Sequence, residues 1–161
     1  MAAISDSGVL ILHSAIARPD LLHSVFGDVF VPGAVWREVV DQGRNRPGAA
    51  EIADVSWIRR TTRGDARLPE TSGLGAWEAA VIGETVAADG ATPVLLDDRG
   101  ARSVAASLGL TVFGSAGVLL LAKNLDLVPA IAPPLLGLTE VGLFVGKTTV
   151  DQLLAAANEA N

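Results

Sequence analysis

The chain has 161 residues, half of them hydrophobic, and a formal net charge of −6. That length and apolar content suit a single domain with a substantial core and exclude a disordered chain, while the acidic balance argues against a broad nucleic-acid-binding surface. Cysteine is absent, which excludes disulfides and thiolate zinc sites and agrees with an expected reducing, cytoplasmic location.

In chain order, short apolar runs alternate with longer helical ones. The start, Met1 to Asp6, lacks the basic and long apolar stretches of a signal peptide. Strands are expected at Ala3–Ser5, Asp28–Val31, Trp57–Thr61, Pro93–Leu96 and Thr111–Phe113. Helices are expected at Gly8–Ile16, Pro19–Phe26, Gly33–Gln42, Gly75–Ala88, Arg99–Leu108, Ala116–Leu125 and Thr149–Asn158. Gly27, Gly43, Gly90 and Gly109 stand where helices should stop. Gln42–Ala49 and Arg63–Gly75, rich in Gly, Pro and charge, read as loops. The longest apolar region, Ala116 to Phe144, is interrupted by Lys123, Asp126, Pro129, Pro133, Pro134 and Glu140, so no segment reads as a membrane span. This alternation predicts an α/β domain with a parallel sheet covered on both faces, running the whole length 1–161.

The candidate site is a set of acids. Asp6 ends the first strand, a favoured place for ligands in open α/β sheets, although Asp is also among the best helix caps. Asp97 and Asp98 follow another strand end; one can cap the next helix, but capping does not need two. Glu78 shares a helical face with Val81, Ile82 and Thr85, with Glu84 well away, which turns Glu78 toward the sheet. Glu38 shares its face with Ala34 and Val35 but also with Asp41 and Gln42, and by itself reads as a half-exposed helical Glu. Gathered at one spot, Asp6, Glu38, Glu78 and Asp98 would repel each other and need cations, and hard oxygen donors suit Mg²⁺ or Mn²⁺.

Other signals carry less. Seven of the twelve basic residues fall between Arg37 and Arg67 (Arg37, Arg44, Arg46, Arg59, Arg60, Arg63, Arg67). They read either as a solvated loop and edge strand or as a local phosphate track. Gly142–Thr148 resembles a phosphate-binding loop but has three residues between its glycines, not four, and no preceding strand. His13 and His23 lack further ligands at zinc spacing, and Trp36, Trp57 and Trp77 read as core or interface residues.

Several segments together resemble the PIN-domain family, which includes the VapC-type toxin ribonucleases. They are Ile4-Ser5-Asp6-Ser7, Val31-Pro32-Gly33-Ala34-Val35-Trp36-Arg37-Glu38-Val39 and Gly75-Ala76-Trp77-Glu78-Ala79-Ala80-Val81-Ile82. Leu95-Leu96-Asp97-Asp98-Arg99-Gly100-Ala101-Arg102 and Gly114-Ser115-Ala116-Gly117-Val118-Leu119-Leu120 complete the match. The Leu-Leu-Asp-Asp-Arg segment is similar to one found in a less characterised subgroup. Departures from that subgroup are Trp77 for Ala, Ala76 for the first Glu of its third-acid helix, and Gly8 for a frequent Ser. The resemblance implies a three-layer α/β/α domain whose five-stranded parallel sheet has its first and fourth strands as neighbours. It carries Asp6, Glu38, Glu78 and Asp98 over as metal-binding catalytic residues, with Asp97 open and Ser7 in support. It further implies an Mg²⁺- or Mn²⁺-dependent endoribonuclease, the toxin of a toxin–antitoxin pair, with an RNA substrate, a small antitoxin partner and a homodimeric state. The alternative is a catalytically weak or inactive module of the same fold that binds RNA or a protein; the bulk of Trp77 and the acidic net charge favour it.

Overall fold

A computed structural model describes residues 2–41, 49–61, 73–88 and 90–159. Five strands, β1 (Ala2–Ser5), β2 (Asp28–Val31), β3 (Ile58–Arg60), β4 (Val94–Leu95) and β5 (Val112–Phe113), form one parallel sheet. Its order is β3-β2-β1-β4-β5. All five expected strands are present, and β1 does pair with β4, with Ile4 opposite Val94 and Ser5 opposite Leu95. The helices are α1 (Ser7–Ala15), α2 (Asp20–Phe26), α3 (Gly33–Trp36), α4 (Ala49–Asp54), α5 (Ala76–Ala87), α6 (Arg99–Ser107), α7 (Ser115–Asn124), α8 (Ala132–Glu140) and α9 (Lys147–Ala156). They cover the sheet in a three-layer α/β/α arrangement. Among the described residues, no helix is long and apolar enough to cross a membrane.

Parallel strands covered on both faces must be apolar on both, and Ala3, Ile4, Val29, Val31, Val94 and Leu95 are all buried. Helix stops follow local chemistry: Gly27 and Gly109 take positive φ values of 72° and 76°, a conformation that costs glycine little.

Four differences from the sequence reading are informative. The expected helix Gly33–Gln42 is α-helical only to Trp36 and continues as a wider π-helical turn, Arg37–Asp41, which carries Glu38. Helix α8 was not among the expected helices, and it carries Pro133 and Pro134. They lie in its first turn, where a missing N–H forfeits no intrahelical bond. Helix α4 is too short for its periodicity to show. On α5 the Glu78 face is buried as expected, but so is Glu84, at 1 % exposure; residues Ala79 to Thr85 are buried on every side. A helix covered all round has no solvent face for periodicity to find. The two expected loops fall largely on residues 42–48 and 62–72, outside the described residues, as do Gly43, Arg44, Arg46, Arg63 and Arg67.

The apolar runs of α1 and α7 are accommodated within one core. Val9, Leu10, Val118 and Leu119 are buried, and Ile11, Leu12, Leu120 and Leu121 pack partly buried against them. Trp36, Trp57 and Trp77 do the same, and His23 stacks on Trp57 with ring centroids 5.3 Å apart.

Candidate acidic site

The strand order reverses direction at β1, which pairs with β2 on one side and β4 on the other. Crevices at such switch points, outside the carboxyl ends of the strands, are where open α/β sheets bind ligands. Asp6 and Asp97 both stand there. The Asp6 N–H donates to Leu95 O at 3.1 Å, locking the end of β1 against β4.

Asp6 is 6 % exposed and caps α1, its Oδ1 accepting from the Val9 N–H at 3.0 Å. Its carboxyl is nonetheless pushed up from 3.8 to about 7. Burial is the main cause, opposed by the Val9 amide, and the negative charges of Asp97 and Glu78 add to the rise. The cap and the site are therefore one residue in two roles. Ser7 opens α1 half-buried, and the neighbouring Ser5 hydroxyl donates to the Asp6 carbonyl at 3.0 Å.

The paired aspartates diverge. Asp97 turns inward and accepts from the Ser115 N–H at 2.7 Å and the Ser115 hydroxyl at 2.6 Å, capping α7 from a neighbouring strand. Asp98 turns outward, exposed, as the N-cap of α6, its Oδ1 accepting from the Ala101 N–H at 2.8 Å. Of the two, Asp97 is the one whose charge acts on Asp6. Gly114 makes this possible: a Cβ there would lie 2.9 Å from Asp97 Oδ1 and 3.3 Å from the Leu96 carbonyl.

Glu78 lies in the first turn of α5, half-buried, with Oε2 buried and without a hydrogen-bond partner. A Cβ on Gly75, the N-cap, would collide with that carboxylate. Glu38, on the π-helical turn, likewise has a buried Oε2 without a partner. Buried carboxylate oxygens left bare are costly, and an ion is the usual remedy. Electrostatics thus joins Asp6, Asp97 and Glu78, while Glu38 shares with Glu78 only the bare oxygen and Asp98 stands on the solvent side. Among the described residues, no three acid or histidine side chains are close enough together to hold a single ion.

Sequence reasoning passed over one residue here. Ser115 holds Asp97, and the only local signal was a hydroxyl after Gly114 at a helix start. His13, set aside above for want of zinc ligands, is fully buried with neither ring nitrogen hydrogen-bonded. Burial lowers its pKa, against the opposing pull of the Arg18 main chain and the Asp97 charge. Burial thus favours the neutral form of the ring.

The basic segment contributes three described residues, Arg37, Arg59 and Arg60, all exposed. Arg59 pairs with Asp28 at 3.2 Å. The Arg60 guanidinium lies over Gly33, where a Cβ would be 2.9 Å from Nη2.

No curated protein and no solved structure matches the chain. A family model described as a PIN domain matches residues 2–159, close to the full length. With the five-stranded parallel sheet in place, the chain belongs to the PIN-domain family.

Proposed function

We propose that this PIN domain, a member of a family whose domains are generally nucleases, is a divalent-metal-dependent endoribonuclease. The observation that carries the reading is the buried Asp6 at the switch point, whose carboxyl feels the charges of Asp97 and Glu78, with one Glu78 oxygen buried and bare. The donor set is all carboxylate and fits Mg²⁺ or Mn²⁺. Asp6, Glu78 and Asp97 would draw together around the ion, since no three described acids stand close enough to hold one as they are. Glu38 is proposed as a further ligand through its bare oxygen, and Asp98 from the solvent side, since its cap bond engages only Oδ1. Ser115 would fix the Asp97 carboxylate, whose oxygens each keep a second lone pair. When bound, such a cation supplies activation of water and neutralisation of phosphodiester charge. Ser7 has no histidine hydrogen-bonded to it, so water rather than a side chain is the attacking group. The products would carry a 5′-phosphate and a 3′-hydroxyl. Cleavage of single-stranded RNA that needs Mg²⁺ or Mn²⁺ and stops with chelator tests the reading; a 2′,3′-cyclic phosphate end, or full activity in chelator, would sink it.

A toxin paired with a small antitoxin, cytoplasmic and homodimeric, is the setting proposed for this activity, on the resemblance to VapC-type ribonucleases. A second reading, a catalytically weak module that binds RNA or a protein, draws on the absence among the described residues of three acids close enough for one ion. No metal-dependent cleavage, with RNA binding intact, would select it.

A further inference from the structure

We propose that Arg102 binds a phosphate of the RNA strand at this site, an inference that rests on the nuclease reading above. A polyanion entering a cluster of carboxylates on a chain of net charge −6 meets repulsion, so the site needs a cationic side chain at its rim. Arg102 occupies that place. It lies one turn into α6, and its main-chain N–H bonds the Asp98 carbonyl at 3.0 Å. The Cβ position of Gly114 is 3.5 Å from Arg102 Nη1 and 2.9 Å from Asp97 Oδ1, so guanidinium and carboxylate approach the same point.

Two facts keep this arginine available. Both Asp97 oxygens are already engaged by Ser115. The Arg102 side chain is exposed and makes no hydrogen bond or ion pair among the described residues. Arg18, Arg59 and Lys147, by contrast, each face an aspartate. A planar guanidinium with free donors matches phosphate geometry two bonds at a time. Placed beside the inward aspartate, it would meet a phosphate that lies over the carboxylates.

The test measures the binding of a short fluorescent single-stranded RNA across a salt series, together with Mn²⁺-dependent cleavage. Arg102→Met should weaken binding about tenfold and reduce the slope of log affinity against log salt by about 0.7, the value for one single-strand phosphate contact. It should raise KM and leave the Mn²⁺-induced shift in melting temperature as in the wild type. Arg102→Lys should restore the salt slope but not the cleavage rate, because a lysine keeps the charge and loses the fork. Lys147→Met, which removes the same charge from an exposed pair with Asp151, is the control and should bind as wild type. Wild-type affinity and slope in Arg102→Met would overturn the proposal while leaving the nuclease reading standing. Loss of the Mn²⁺ shift in Arg102→Met would also overturn it, since the arginine would then be holding Asp97. A wild-type protein that neither binds nor cleaves RNA would overturn both.

Discussion

Asp6 shows how one side chain can be favourable for folding in one charge state and costly in the other. The folded protein keeps its carboxyl protonated up to about pH 7, whereas the unfolded chain loses that proton near 3.8. A folded pKa above the unfolded one stabilises the fold at low pH, and that contribution is lost as pH rises from about 4 through 7; the shift corresponds to about 4 kcal/mol at most. Metal-free protein should therefore melt at lower temperature at pH 8 than at pH 5, as calorimetry across that range would show. Asp6→Asn keeps a capping oxygen for the Val9 amide and cannot ionise, so the fall in stability with pH should flatten and the response to Mn²⁺ should disappear. A steep pH dependence surviving in Asp6→Asn would place its origin elsewhere. The two adjacent aspartates offer a sharper comparison. Asp97→Asn should lower cleavage by orders of magnitude, and Asp98→Asn less, because Asp98 faces solvent while the Asp97 charge reaches Asp6. Equal losses in the two variants would count against this ordering.

Helix starts do much of the positioning. Helices α1, α5, α6 and α7 each begin beside an acid of the site, and the position beside each start matters as much as the acid. Gly75 leaves room for Glu78, and Gly114 leaves room for Asp97. Gly75→Ala must displace the Glu78 carboxylate, the mobile end of a side chain, so stability should change by under about 1 kcal/mol while metal-dependent activity falls. Gly114→Ala meets a backbone carbonyl as well as Asp97, and should cost about 1–3 kcal/mol and activity together. Chemical denaturation alongside cleavage assays separates these outcomes; a fully active Gly75→Ala would remove Glu78 from the site. The π-helical turn at Arg37–Asp41 has a similar positioning effect on Glu38, since the wider turn changes which direction residue 38 faces.

Across the whole molecule, ion binding and folding are linked. An ion held only by the folded arrangement stabilises it by mass action, about 2.7 kcal/mol at a hundred times the dissociation constant, or roughly 5–10 °C in melting temperature for a domain of this size. Scanning calorimetry with millimolar Mn²⁺ should show that rise, and an unchanged melting temperature would weigh heavily against the acidic site as an ion site. Because most of the long apolar helices are covered within the chain, the proposed dimer has little apolar surface to draw on. Phe144, at 96 % exposure between α8 and α9, is the most exposed large apolar side chain among the described residues, with Leu136 at 60 % nearby in sequence. Light scattering at tens of micromolar should give twice the monomer mass, and Phe144→Asp should lower it toward the monomer; a monomeric wild type ends the dimer proposal.

The alternation of strands and helices was legible in the residues alone because hydrophobic runs, glycine stops and capping aspartates act over a few positions. All five strands were found that way, and Asp6 stood out because a strand end followed by a helix start is a local pattern. The family segments added the sheet order. What local pattern could not reach was direction and burial. Asp97 and Asp98 are neighbours in sequence with the same chemistry, but the Ser115 N–H and hydroxyl, supplied after β5, hold one inward while the other faces solvent. Glu84 lacked any sequence mark of burial, because the helix that carries it is enclosed on every side. Arg102 comes near the same strand end, its Nη1 3.5 Å from the Cβ position of Gly114. Each of these outcomes depends on a contact between segments distant in the chain, and such contacts exist only once the sheet has brought the strand ends together.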